Sequence, residues 1–231
     1  MVVRVILFIL FFCVSVQAEI NPRRDSLRVV AFEHSFIPTT GNNDITNNIA
    51  NRFVNIAISQ VCQDFPAIER YDTIVTIDGT RLYSVNSDFL KLKVAFKYTV
   101  TDGQNVIIPL DYPPVEGWFE KKGGEKGSEP PFNKLSEPRY LWVFADQLYF
   151  YPTPTNADTF LIAYYAMDTT LTDDASETSV LPEYRGAVVV YTALLIAIRR
   201  VDVARVQLLQ ALYNEKVALS RFKEQPGRVN Q

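Results

Sequence analysis

The chain has 231 residues, enough for one ordinary domain with an insertion or for two small ones. Its apolar content of 48% against 21% charged excludes a disordered chain, and its net charge of −3 argues against a protein that grips nucleic acid through a basic surface. Two cysteines, Cys13 and Cys62, and one histidine, His34, exclude a disulfide framework and a zinc cluster; His34 is the only residue on which a Ser-His-Asp or Cys-His arrangement could be built, and the polar residues around it show no nucleophile signature.

Residues 1–20 form a signal-like apolar segment. Arg4 supplies a positive start, Val5 to Val16 an apolar run too short for a comfortable membrane span, and Val16-Gln17-Ala18 a small-residue cleavage pattern. An uncleaved apolar helix, or a start codon upstream of the true one, fits the same residues.

Residues 21–70 read as an N-terminal arm and a helix. Leu27, Val29, Ala31 and Phe32 suggest one short extended segment, and His34 stands there as an isolated polar residue. Thr39 to Asn43 is a turn. Asp44 is positioned to cap a helix running to about Asp64, with Ile45, Ile49, Phe53, Ile56 or Ala57, and Val61 at helical spacing. Cys62 is a small filler on that helix, and Phe65-Pro66 ends it.

From Tyr71 the period changes to two, and residues 71–170 read as an antiparallel β insertion. Thr73 to Ile77 and Thr80 to Val85 flank Asp78-Gly79 as a hairpin. Leu92 to Thr101 and Val106 to Leu110 flank Asp102-Gly103. Trp118 to Leu135 is a long loop rich in glycine and lysine; Lys121, Lys122 and Lys126 make it a candidate mobile contact loop. Its Gly123-Gly124-Glu125-Lys126-Gly127-Ser128 lacks the spacing of a phosphate loop. Leu141 to Phe144 and Leu148 to Tyr151 flank a tight turn at Ala145-Asp146-Gln147, Pro152-Thr153-Pro154 closes the second strand, and Thr159 to Ala166 is the last. Trp118, Trp142 and Tyr149 could stack on a sugar or base, although alternating aromatics in strands more often pack a sheet.

Residues 178–224 read as a helix pair. Thr178 or Ser179 can cap the first helix, Pro182 suits its first turn, and Arg199 and Arg200 place positive charge at its far end. From Ala187 to Ile198 only Thr192 is polar. A helix this apolar is either a core helix or a subunit contact, and Val190, Leu194 and Ile198 mark its packing face. Asp202 can cap the second helix, whose stripe runs through Val206, Leu209, Tyr213 and Val217. Pro226-Gly227 ends it, leaving a tail at residues 225–231. The fold class is therefore α+β: a helical bundle, with one N-terminal helix and a C-terminal helix pair, holding a large antiparallel β insertion. No metal site, cofactor site or catalytic constellation is legible.

The order of parts resembles the head–tail adaptor proteins of short-tailed bacteriophages. The residues that carry the likeness are Tyr140-Leu141-Trp142, then Leu148-Tyr149-Phe150-Tyr151-Pro152-Thr153-Pro154, then Ala163-Tyr164-Tyr165-Ala166, then Val180-Leu181-Pro182-Glu183-Tyr184 opening the apolar helix. The likeness spans roughly Asp44 to Phe222. It implies a non-enzymatic virion protein that assembles in the host cytoplasm as a ring, commonly a dodecamer. Its implied partners are further copies of itself, the portal protein, and tail nozzle or tail fibre proteins. Packaged DNA would pass without specific binding, and no membrane or cofactor is implied. In such proteins the segment after the last helix docks on the portal; here that segment contains Pro226, Gly227 and Arg228. The signal-like start departs from this pattern. It favours a different class, an exported β-rich module that binds a glycan or protein.

Overall fold

The computed structural model describes residues 20–35, 45–101, 104–111, 137–144 and 146–223. The expectations for Met1 to Ala18, Thr39 to Asp44, Asp102-Gly103, Ala145 and the lysine loop, and for the tail beyond Lys223, lie outside them. Among the described residues the chain is mixed α+β, with four helices and two antiparallel sheets. It divides into two compact units. One takes the chain up to Ile68 and again from Met167 onward; the other is Glu69–Ala166.

The helical unit opens with α1, Arg24–His34. The expectation of an extended segment here is overturned. The alternation of Leu27, Val29 and Ala31 suggested a strand, but the buried set is Arg24, Leu27, Arg28, Ala31 and Phe32, a helical spacing in which two arginines take core-facing places. Val29 is left exposed. Helix α2, Asn47–Asp64, is capped by Thr46, whose Oγ1 accepts the Ile49 N–H at 3.4 Å, rather than by Asp44. It buries Ala50, Val54, Ala57, Ile58, Val61 and Cys62.

Helix α3, Pro182–Arg199, begins without a side-chain cap. Thr178 and Ser179 do not serve. The Thr178 hydroxyl donates to Asp168 and accepts the Val180 N–H, and the Ser179 N–H donates to the same carboxylate. Pro182 has no N–H to satisfy at that end. Helix α4, Val203–Lys223, is capped as expected, with Asp202 Oδ1 accepting the Arg205 N–H at 3.2 Å. Helix α3 is the centre of the bundle: α1, α2 and α4 all pack on it, and Val188, Val189, Ala193 and Ile196 are fully enclosed. Phe65, Tyr184, Tyr191 and Tyr213 add an aromatic chain, with ring centroids 4.8 to 5.9 Å apart.

The β unit contains β1 (Glu69–Val75), β2 (Leu82–Ser84), β3 (Phe89–Thr101), β4 (Gln104–Pro109), β5 (Tyr140–Phe144), β6 (Gln147–Tyr151) and β7 (Thr159–Ala166). They form a four-stranded sheet in the order β1-β7-β3-β4 and a three-stranded sheet in the order β2-β6-β5. The β3–β4 and β5–β6 hairpins stand as expected. The hairpin around Asp78-Gly79 does not. β1 pairs with β7, and β2 pairs with β6. Gly79, at φ 73°, donates its N–H to the Pro154 carbonyl, and Thr76 donates to that of Asp158, so the turn carries the chain from one sheet to the other. Leu141, Leu148 and Phe150 from the smaller sheet meet Leu92, Ala95, Phe160 and Ile162 from the larger in one core, with the Phe150 and Phe160 rings 4.7 Å apart.

Candidate interaction surfaces

The densest polar cluster of the helical unit sits where the linker before α3 crosses α1 and α2. Asp174 Oδ1 accepts from Arg24 Nη2 at 3.1 Å, Arg28 Nη1 at 3.0 Å and Asn51 Nδ2 at 3.1 Å. Arg24 Nη1 also donates to the Leu171 carbonyl at 2.7 Å, while Asn55 both donates to and accepts from the Leu171 backbone. Burial pushes the Asp174 carboxyl up, but the adjacent Arg28 and Arg24 guanidinium groups outweigh it and hold the carboxyl below its ordinary range. This carboxylate is occupied by the chain's own donors. Its role is to neutralise two core-facing arginines and to pin the linker.

The β unit has a comparable group. Lys97 Nζ lies 2.8 Å from Glu137 Oε1 and 3.0 Å from Asp158 Oδ2. Burial pulls the Lys97 amine down, yet the two carboxylates outweigh it and raise it; the Lys97 hydrogen bond in turn lowers Glu137. The nearly buried amine is thus matched by two acceptors.

What both units leave unmatched is apolar surface. On the four-stranded sheet, Tyr71 and Val75 of β1, Tyr98 of β3 and Ile107 of β4 are exposed. The pairings Tyr71 with Ala163, Thr73 with Leu161, Leu161 with Phe96 and Tyr98 with Ile107 place these residues on one face, opposite the shared core. On the helical unit the α3–α4 turn exposes Ile198, Val201 and Val203. Val201 is 80% exposed and sits at φ 57°, the left-handed region that a β-branched residue seldom occupies. Ile56, Leu208 and Leu219 are exposed on α2 and α4.

Of the residues singled out in the sequence, Val190 and Leu194 are buried inside the chain's own bundle, whereas Ile198 is half exposed. Pro226, Gly227 and Arg228, and Lys121, Lys122 and Lys126, lie outside the described residues. His34 is partly buried, and burial lowers its basicity. Trp142 stacks on Tyr140 in the smaller sheet, with centroids 6.2 Å apart. Among the described residues no group of histidine, cysteine, aspartate and glutamate side chains could hold a metal ion, and no helix is long and apolar enough to cross a membrane. Sequence reasoning passed over the sheet face because its residues are spread over strands far apart in the chain. On α2 the expected stripe through Ile49, Phe53 and Ile56 lies on the outer side, with Ile56 exposed and the other two half-buried, while the core takes Ala50, Val54, Ala57, Ile58 and Val61; on α4 the inward stripe of Leu209 and Tyr213 stands as expected, beside outward Leu208 and Leu219.

These features define the class: a mixed α+β protein whose described residues present apolar faces on both of its units. The family model described as SU10 adaptor protein matches residues 25–230, and the chain belongs to that family. It is accordingly a bacteriophage adaptor, a structural component of the virion, as the resemblance indicated. The match begins beyond the signal-like segment. No curated protein matches the chain.

Proposed function

We propose that this adaptor is the repeating subunit of a ring, a dodecamer in the simplest reading, bound beneath the portal at the capsid vertex. There it connects the head to the tail nozzle or tail fibre proteins and keeps the channel through which DNA leaves during ejection. The observation that carries this reading is membership of the adaptor family over residues 25–230. Two physical features support it. Both units turn apolar surface outward, as a protein that works between partners must. The net charge of −3 suits a channel wall along which DNA slides rather than sticks.

In this reading the tail with Pro226, Gly227 and Arg228 docks on the portal, and the loop with Lys121, Lys122 and Lys126 reaches another virion protein. Assembly takes place in the host cytoplasm. The test is the mass of the native assembly from purified heads, by mass spectrometry and electron cryomicroscopy. A ring of adaptor copies on the portal is expected, and a chain ending at Glu224 is expected to lose it. A monomer exported with Met1 to Ala18 removed would overturn the proposal in favour of a binding module.

A further inference from the structure

We infer that α2 and α4 carry the two halves of a head-to-tail contact between copies of this chain, an inference that rests on the ring reading above. Helix α4 is apolar on two sides. Leu209 and Tyr213 are buried in the bundle, but Ala204, Leu208, Ala211, Ala218 and Leu219 are exposed. Positions 204, 208, 211, 215 and 218 advance in alternating steps of four and three, the spacing of a helix–helix seam. Alanine at 204, 211 and 218 leaves hollows along it. Helix α2 is built the same way. Opposite its buried Val54, Ile58 and Val61, it exposes Ile56 and leaves Ile49 and Phe53 half-buried on the same side, again in steps of four and three, with larger side chains in place of the alanines. Knobs of this size fit such hollows.

Each seam carries one charge, and the signs are opposite. Arg52 lies among Ile49, Phe53 and Ile56 on α2, and Glu215 lies between Ala211 and Ala218 on α4. Both are exposed, and neither forms an ion pair with a described residue. A charge stranded in an apolar seam is a cost unless the facing seam answers it. The two surfaces are unlike and sit on different helices, and paired twice across a two-fold axis they would stop at a dimer, which native mass distinguishes from a ring. A heterologous contact uses both in every copy, and it is the kind that closes into a ring. A different protein seated on this surface would need only one of the seams.

The test is a charge exchange in the full chain, read by native mass spectrometry and sedimentation, alone and on the portal. Arg52→Glu or Glu215→Arg is expected to raise the protomer concentration for half-assembly by about tenfold or more, and the double exchange to bring it back to within about threefold of the parent. Helical circular dichroism stays unchanged in all three, since both positions are exposed. Leu208→Asp and Ile56→Asp should each block assembly. Rings that form equally well with either single exchange, or a double exchange no better than the singles, would overturn this contact and leave the ring reading standing. An effect of Leu208→Asp without one of Ile56→Asp would also overturn it, assigning α4 to a different protein. A parent chain that is monomeric both free and in purified heads would overturn the ring reading and this contact together.

Discussion

In the helical unit one helix is wrapped by three others; in the β unit the described strands form two sheets around one shared apolar layer. Helix α3 is wrapped by α1, α2 and α4, so its side chains have little left to offer a partner. The β unit shares one apolar layer between two sheets, and its larger sheet keeps an apolar outer face in Tyr71, Val75, Tyr98 and Ile107. The difference teaches where contact surface comes from in this fold. The most apolar of the described helices is spent on the chain's own interior, and the outward surfaces belong to peripheral elements whose sequences look ordinary.

The sharpest way to break the comparison is to put a charge at the enclosed centre. Leu194→Asp introduces an unpaired carboxylate where Leu194 is buried, and is expected to cost about 4 kcal/mol or more, unfolding the helical unit. Circular dichroism at 222 nm would fall, while Trp142 fluorescence in a Trp118→Phe background would hold. Loss of both signals together would mean that the two units do not fold separately. Phe150→Ala is the mirror experiment, removing a core ring of the β unit at an expected cost of about 3–5 kcal/mol. Here the Trp142 signal should melt first and the helical signal last.

A smaller effect separates the units by pH. Burial and the hydrogen bond to Asp64 push the Tyr213 phenol far up, so it stays neutral in the folded helical unit. A group raised on folding contributes stability that is present below its unfolded pKa, about 10 for tyrosine, and lost as pH rises beyond it. The raised Lys97 does the same for the β unit from about pH 10.4 upward. Tyr213→Phe is therefore expected to cost about 1 kcal/mol at neutral pH yet to remove the alkaline fall of the helical signal, with that of Trp142 persisting. An unchanged alkaline fall at 222 nm would refute this role for Tyr213. On the acid side the sign reverses. Asp174, lowered on folding, contributes above the ordinary carboxylate range, and that contribution is lost as pH falls below about 4. Asp174→Asn should flatten the acid limb of the helical signal. The smallest effect is expected at the sheet face. Tyr71→Ser and Ile107→Ser should change stability by about 0.5 kcal/mol or less, because both side chains are exposed. A larger loss would show that the face is covered within the chain.

Much of the helical unit was legible because helix periodicity is local. The boundaries of α3, the Asp202 cap and the inward stripe of α4 all follow from residues within a few turns of one another. The β5–β6 hairpin was legible for the same reason, with Asp146 at φ 58° in its turn. Helix α1 was misread because two of its five buried positions are arginines, and nothing near them in sequence announces Asp174, some 150 residues away.

The sequence by itself determined the class: helices before and after a block of strands, no histidine or cysteine chemistry, and a set of motifs that placed the chain among phage adaptors. Only the tertiary structure decided which strands pair across the β unit, which arginines enter the helical core, and which apolar residues remain outside. The physical reason is range. Backbone hydrogen bonding and side-chain period act between near neighbours, so they can be read along the chain. Strand pairing and burial are settled by residues that meet only after the chain has folded.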